Sequence, residues 1–197
     1  MTTPQQPPYA DRSFRSPAGI VGGLLLLGFA AWIGGDALVT GDGRAPWVAL
    51  AGLLLVVPLI VAFTFRPVVY ANEDRMRVRN PFRTIDLPWA AVAAVRAGYS
   101  SEVVTQDGTK YQLWSVPVSL RERKRAARRQ ARGGEPADPA TTGAAGADRT
   151  IAELRDLAEQ CASRPTAQGA PRVRWAYELI APALAGLIAL VVLIVTA

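Results

Sequence analysis

Three long uncharged blocks break the otherwise mixed pattern of polar and apolar positions along this chain. Twenty residues run between Arg15 and Asp36, among them Ile20, Val21, Leu24, Leu25, Phe29 and Ile33. Twenty-one lie between Arg44 and Arg66, and nineteen follow Glu178 up to Ala197. At about 1.5 Å of helical rise per residue each block reaches across roughly 30 Å of hydrocarbon, so all three are expected to be transmembrane helices. Trp32, Trp47, Trp175 and Tyr177 stand near block ends, where amphipathic rings favour the headgroup layer. A cleaved signal peptide is the competing reading of the first block, because Arg12 and Arg15 precede it. Its apolar stretch exceeds the roughly 7 to 15 residues of a signal core, and a second span follows at once. Enclosing the blocks as core helices would need a larger soluble domain than the remaining sequence provides.

Gly22, Gly23, Gly28, Gly34 and Gly35 in the first span and Gly52 in the second offer places where helices could approach closely. The connection from Asp36 to Ala45 is short and turn-rich, with Gly41, Asp42 and Gly43 ahead of Pro46. The first two spans are therefore expected to form an antiparallel hairpin. Pro58 and Pro182 are tolerable as kinks in lipid.

From Arg66 to Leu120 the pattern shifts to short β-like runs separated by turn residues. Val68, Val69 and Tyr70 lead into a polar turn at Asn72, Glu73 and Asp74. Arg75, Met76, Arg77, Val78 and Arg79 then alternate strictly, which predicts a strand with Met76 and Val78 inward and Arg75, Arg77 and Arg79 as an exposed basic face. Asn80 and Pro81 turn the chain and residues 83–87 return as a strand. Residues 89–96 fit a short helix or a strand. Glu102 to Gln106, Asp107-Gly108 and Thr109 to Trp114 predict a hairpin on a two-residue type I′ turn, with Val104 facing Tyr111.

The run Val78-Arg79-Asn80-Pro81-Phe82-Arg83-Thr84, followed by Leu87-Pro88-Trp89 and later by Asp107-Gly108 and a short strand, resembles the bacterial pleckstrin-homology-like domains of actinobacterial membrane proteins. Two preceding hydrophobic helices are similar to that family's layout. The resemblance implies a small, strongly bent β-sheet or partial barrel closed at one end by a helix. It implies little about activity, because the fold carries many unrelated binding roles.

Ser119-Leu120-Arg121-Glu122 is a capping-box pattern opening a helix that should run to Arg132, before Gly133-Gly134. Seven of its twelve residues from Arg121 are basic and one is acidic. Arg121, Arg125, Arg128 and Arg132 recur at helical spacing, and Lys124 and Arg129 lie beside them. This stripe is a candidate contact for anionic lipid headgroups at about 1 kcal/mol per basic residue near the surface. A solvated helix face that also keeps the segment inside is the plainer reading. Nothing aromatic interleaves the run, which argues against nucleic acid as a partner. Residues 133–147 read as a flexible linker, and Thr150-Ile151-Ala152-Glu153 as a second capping box, with Ile151, Leu154, Leu157 and Ala158 on one side of the helix it opens.

Charge settles the expected orientation. Of 22 Lys and Arg, 19 fall between Arg66 and Arg174, whereas the loop between the first two spans holds only Arg44. The positive-inside rule therefore puts the N-terminus and the central segment in the cytoplasm, with the short loop and the C-terminus outside. The excess of Lys and Arg over 16 Asp and Glu, a formal charge of +6, falls almost wholly in that central segment. The chain has no His and a single cysteine, Cys161. An intramolecular disulfide, a Cys/His zinc site and His-based nucleophilic catalysis are thus excluded. No glycine-rich phosphate loop appears, and no cofactor is implied. The spans hold no interior ionisable residue, which argues against an ion or proton path.

The organisation expected is a cytoplasmic tail over 1–16, a helical hairpin over 17–65 and a β domain with its basic helix over 66–132. The linker 133–147, an amphipathic helix and juxtamembrane segment over 148–175, and a third span over 176–197 complete it. The fold class is membrane α plus small β, at the cell membrane and multi-pass. The expected role is non-enzymatic: an anchored interaction module for an unknown protein partner or anionic headgroups. The alternative is a non-catalytic subunit of a membrane transport or envelope-synthesis complex, in which the spans are the working part.

Overall fold

A computed structural model of the chain describes residues 12–97, 100–116 and 143–196. The predicted capping box at 119–122, the basic helix bearing Arg121, Lys124, Arg125, Arg128, Arg129 and Arg132, and residues 133–142 of the predicted linker lie outside the described residues. The chain divides into a helical unit (16–67, 79–84 and 173–197) and a β unit made of the rest.

In the helical unit, α1 spans Pro17–Thr40, starting at Ser16, whose Oγ accepts the Gly19 amide at 3.4 Å. α2 spans Ala45–Ile60 and continues through a π turn, Val61–Phe65, where the Arg66 amide reaches back to the Val61 carbonyl at 3.0 Å. The last helix of the chain spans Tyr177–Val195 and is labelled α4. All three are long and apolar enough to cross a membrane. Leu25, Trp32, Ile188 and Val195 are among the many large apolar side chains they leave exposed. In water such a surface would be strongly unfavourable, and in hydrocarbon it is the expected exterior. α1 runs past Asp36, which the sequence pattern had assigned to the loop. Ala37, Leu38 and Val39 carry the helix on until Gly41, and the loop shrinks to residues 41–44 with Gly43 at φ +58°.

α2 packs against both α1 and α4. Without a hydrophobic drive between helices in lipid, close backbone approach decides such contacts. Of the glycines picked out in the sequence, Gly34 faces Leu53 and Gly23 faces Thr64 and Phe65, each too closely for a Cβ. Gly22, Gly28, Gly35 and Gly52 meet nothing within 4 Å. The tightest approach to backbone between two spans was not foreseen: a Cβ on Gly186 would lie 2.5 Å from Leu55 N and 2.8 Å from Leu54 C.

The strands are β1 (Arg12–Phe14), β2 (Val68–Ala71), β3 (Arg75–Arg79), β4 (Arg83–Pro88), β5 (Val92–Ala97), β6 (Ser101–Thr105), β7 (Lys110–Gln112) and β8 (Arg172–Trp175). They form two small antiparallel sheets in the orders β1-β2-β3-β4-β8 and β5-β6-β7. Met76 and Val78 are fully buried, as the alternation of β3 demands, and join Ile85, Leu87, Trp89, Val95 and Val103 in one core. The ambiguous run beginning at Trp89 resolves into a single 3-10 turn, Trp89–Ala91, followed by β5.

α3 spans Gly143–Cys161 and buries Ile151, Leu154 and Cys161 in the same core, with Leu157 and Ala158 partly covered. Arg155 Nε donates to the Val95 carbonyl at 2.7 Å, fixing the helix on β5. The helix is already formed at Gly143, ahead of the Thr150 capping box: Ala144, Ala145 and Ala147 are strong helix formers and carry it through Gly146.

The β6–β7 hairpin corrects the expected register by one residue. Val103, not Val104, pairs with Tyr111, and Val104 pairs with Lys110. A type I′ turn needs positive φ at both central residues, yet only Gly108, at φ +82°, has it. The loop is therefore the three-residue kind, Gln106-Asp107-Gly108, closed by the Thr105 amide on the Thr109 carbonyl at 3.0 Å. Asp107 secures it. Its carboxylate accepts from Thr105 Oγ1, and from the Thr109 amide and Oγ1 at 3.1 Å each. These bonds, that from Thr105 first, hold the Asp107 carboxyl below the ordinary aspartate range. A depressed folded pKa means that the loop gains from Asp107 above its unfolded pKa of about 4 and loses that gain as pH falls through the folded value. Titration of a 13C-labelled Asp107 carboxyl should give a midpoint below that of an unstructured peptide; a midpoint at or above it contradicts this account.

Candidate functional site

The feature that stands out is the β3–β4 hairpin tip, residues 79–84, which belongs to the helical unit. Pro81 presets φ for the turn, and the Asn80 amide donates to the Arg83 carbonyl at 2.8 Å to close it. Phe82 at the tip meets Phe63 of the π turn edge to face, with centroids 5.4 Å apart. Its carbonyl accepts the Ala176 amide at 2.8 Å, just before α4 begins.

Arg66 ties these pieces together. Its Nε donates to the Asn80 carbonyl at 3.2 Å, one terminal nitrogen to Thr84 Oγ1 at 3.3 Å, and the other to Glu178 at 2.8 Å. One guanidinium, with its side chain only 18% exposed, thus joins the end of α2, the hairpin tip and the first turn of α4. The π turn sets its direction. One extra residue in a turn rotates everything after it by about 100° relative to an unbroken α-helix. Thr64 occupies a helical carbonyl in the same turn, with Oγ1 donating to Ile60 O at 2.6 Å.

The predicted basic strand face is placed as follows. Arg75 and Arg79 are exposed at the two ends of β3, while Arg77 is half-buried and its Nε donates to Asp86 on β4 at 2.5 Å. Arg77 is therefore engaged in the sheet, as the cross-strand partner that residue counting from Asn80 and Arg83 requires. The six basic residues of the predicted helix lie outside the described residues. Arg66, Glu178 and the strand β8 were not singled out in the sequence. The one signal for Arg66 was its position directly after an apolar block. Among the described residues no cluster of acidic or cysteine side chains could hold a metal ion.

Residues 66–160 match the model of a family described as bacterial PH domain. Two apolar helices precede the matched segment and one follows it. No curated protein and no solved structure matches the chain.

Proposed function

We propose that this chain, a membrane protein carrying a bacterial PH domain between its second and third spans, is an anchored interaction module. In this reading the domain presents a surface at the cytoplasmic face to a protein partner or to anionic headgroups. PH-like domains serve in general as interaction modules, and tethering raises the local concentration at the bilayer so that each contact can be weak. The observation that carries the reading is the threefold tie of Arg66 to Asn80, Thr84 and Glu178. Within the helical unit this tie binds the 79–84 hairpin to the ends of two spans.

The cytoplasmic side is supported by charge within the helical unit. Arg66, Arg79, Arg83 and Arg174 lie at the end of α2, in the hairpin tip and before α4, against Asp42 and Arg44 in the loop at the other end. In a Cys161→Ala background, Asp42→Cys should react with a membrane-impermeant maleimide on intact cells, and Glu102→Cys only after lysis. The reverse pattern overturns the orientation. Photocrosslinkers at Arg75 and Glu102 of the full-length chain should capture a defined partner or lipid in cells. Capture of neither from any surface position of the domain would sink the module.

A further inference from the structure

We infer that the face of α1 bearing Trp32 and Asp36 docks a membrane-spanning helix of another protein, one that brings an arginine or lysine to the level of Asp36. This surface lies in the spans and stands apart from whatever the PH domain binds. The uncharged block of the sequence stops before Asp36, yet α1 carries that residue inside the helix, with Thr40 Oγ1 donating to its carbonyl at 2.8 Å. Its depth follows from the packing of α1 on α2. A Cβ on Gly34 would press into the Leu53 side chain, and one on Gly41 would lie 3.0 Å from Ala45 Cβ. In this antiparallel pair Asp36 is therefore level with residues 50–51, about 8 Å along the axis from the start of α2.

α4 also reaches past that level. Its Gly186 lies against Ala51, Leu54 and Leu55, and the helix continues to Val195. Its 19 residues give α4 a length of about 28 Å, barely the thickness of the hydrocarbon, so the apolar layer extends to its end. Val39, Val48, Ile194 and Val195 all lie beyond Asp36 and are exposed, as lipid-facing side chains are.

A bare carboxylate on this surface is out of place. Ionisable side chains within spans face a bundle interior or a partner, and a single methylene is too short to lift the charge to the headgroups. Asp36 is exposed, and its carboxylate makes no hydrogen bond or ion pair among the described residues. Trp32, one turn deeper on the same face, is 71% exposed and meets Phe29 edge to face at 6.1 Å. Such a ring belongs at the headgroups and not at mid-depth in lipid. Ring and carboxylate together suit a cation, which can pair with Asp36 while its stem or flat face covers Trp32. Beside them, Gly35 has open space where a Cβ would stand, so a second helix can come close.

The cation has to come from a different protein. The three spans of this chain hold no Lys or Arg, and Arg44, in the loop, donates to the Leu193 carbonyl at 3.4 Å. A second copy meeting through the same face would set Asp36 against Asp36. The cationic groups of lipids stay in the headgroup layer, above this depth.

The test is Förster transfer in phosphatidylcholine vesicles between the full-length protein, labelled at its N-terminus, and a labelled helix of about 20 leucines. The helix carries one arginine or one glutamine about six residues from an end, the depth of Asp36. Wild type should bind the arginine helix about tenfold more tightly than the glutamine helix. Asp36→Asn should abolish this preference. Asp36→Glu, which keeps the charge and guards against a folding defect, should retain it, as should Asp42→Asn in the loop. Trp32→Leu should fall between. Equal binding of the two helices by wild type, or equal loss in Asp36→Asn and Asp42→Asn, would overturn the site. Self-association of the full-length chain that Asp36→Asn abolishes would overturn it too, by assigning the face to a second copy. None of these results touches what the domain captures, so the interaction module stands or falls separately.

Discussion

Trp89→Ala should unfold the β domain while leaving the membrane helices intact. Trp89 is the largest fully buried side chain, and it closes the core formed by Met76, Val78, Ile85 and Leu87 with Ile151 and Leu154 of α3. Truncating a buried indole costs about 3–5 kcal/mol in lost transfer energy and cavity. A domain of this size has roughly 5–15 kcal/mol in total. The ring also has a polar duty: Nε1 donates to the Asn72 carbonyl at 2.8 Å. Asn72 is itself the organiser of the β2–β3 turn, its Oδ1 accepting the amides of Asp74 and Arg75 at 2.9 Å each. Losing the indole also removes this bond to the Asn72 carbonyl, which costs about 1 kcal/mol more. Trp89→Phe should fall between, since it keeps most of the volume and loses the bond. Limited proteolysis in detergent reads the result directly. Rapid cleavage within 68–116 and persistence of the helical segments is expected for Trp89→Ala. A cleavage rate equal to wild type for that variant would show that the core does not depend on this ring.

Where the sequence reading succeeded and where it slipped both have physical causes. The spans were legible because a membrane helix is specified by composition over some twenty positions, and no single residue can obscure it. Strand β3 was legible because strict alternation of Arg with Met76 and Val78 has one solution on a pleated surface. The β6–β7 register was not, because Asp-Gly suits both a two-residue type I′ turn and a longer loop with glycine alone at positive φ. The choice fell to the bonds that Asp107 makes with Thr105 and Thr109. β1 and β8, at three and four residues, are too short to show a period, and they exist because neighbouring strands offer them ladder bonds. The Arg66 tie was invisible for a further reason: it joins residues 66, 80, 84 and 178, and long-range convergence leaves no local trace. The match to the bacterial PH domain family covers residues 66–160. It contains Arg66 and the hairpin tip but neither Glu178 nor β8, so the Arg66 tie is completed from outside the matched segment.

Gly186→Leu should separate α4 from α2. The glycine lets the two helices approach closely, since a Cβ there would lie 2.5 Å from Leu55 N, 2.8 Å from Leu54 C and 2.9 Å from Ala51 O. These are backbone atoms of a continuous helix, so they cannot swing aside as a side chain would. The whole helix must shift. Overpacking a well-fitted contact costs about 1–3 kcal/mol, and more where backbone is the obstacle. In lipid, no gain in apolar burial offsets that loss, because helices there associate through close packing. Gly28→Leu supplies the control, as a Cβ at Gly28 meets nothing within 4 Å. Both variants add the same side chain to a glycine in a membrane span, yet only the first should lower the midpoint of unfolding in a detergent titration. Equal midpoints for the two would mean that the α2–α4 contact contributes nothing to holding the bundle. Because the Ala176 amide donates to the Phe82 carbonyl in the hairpin tip, and Glu178 accepts from the same Arg66 that holds Asn80 and Thr84, displacement of that helix by Gly186→Leu should also expose the 79–84 hairpin to protease, an effect that Gly28→Leu should lack.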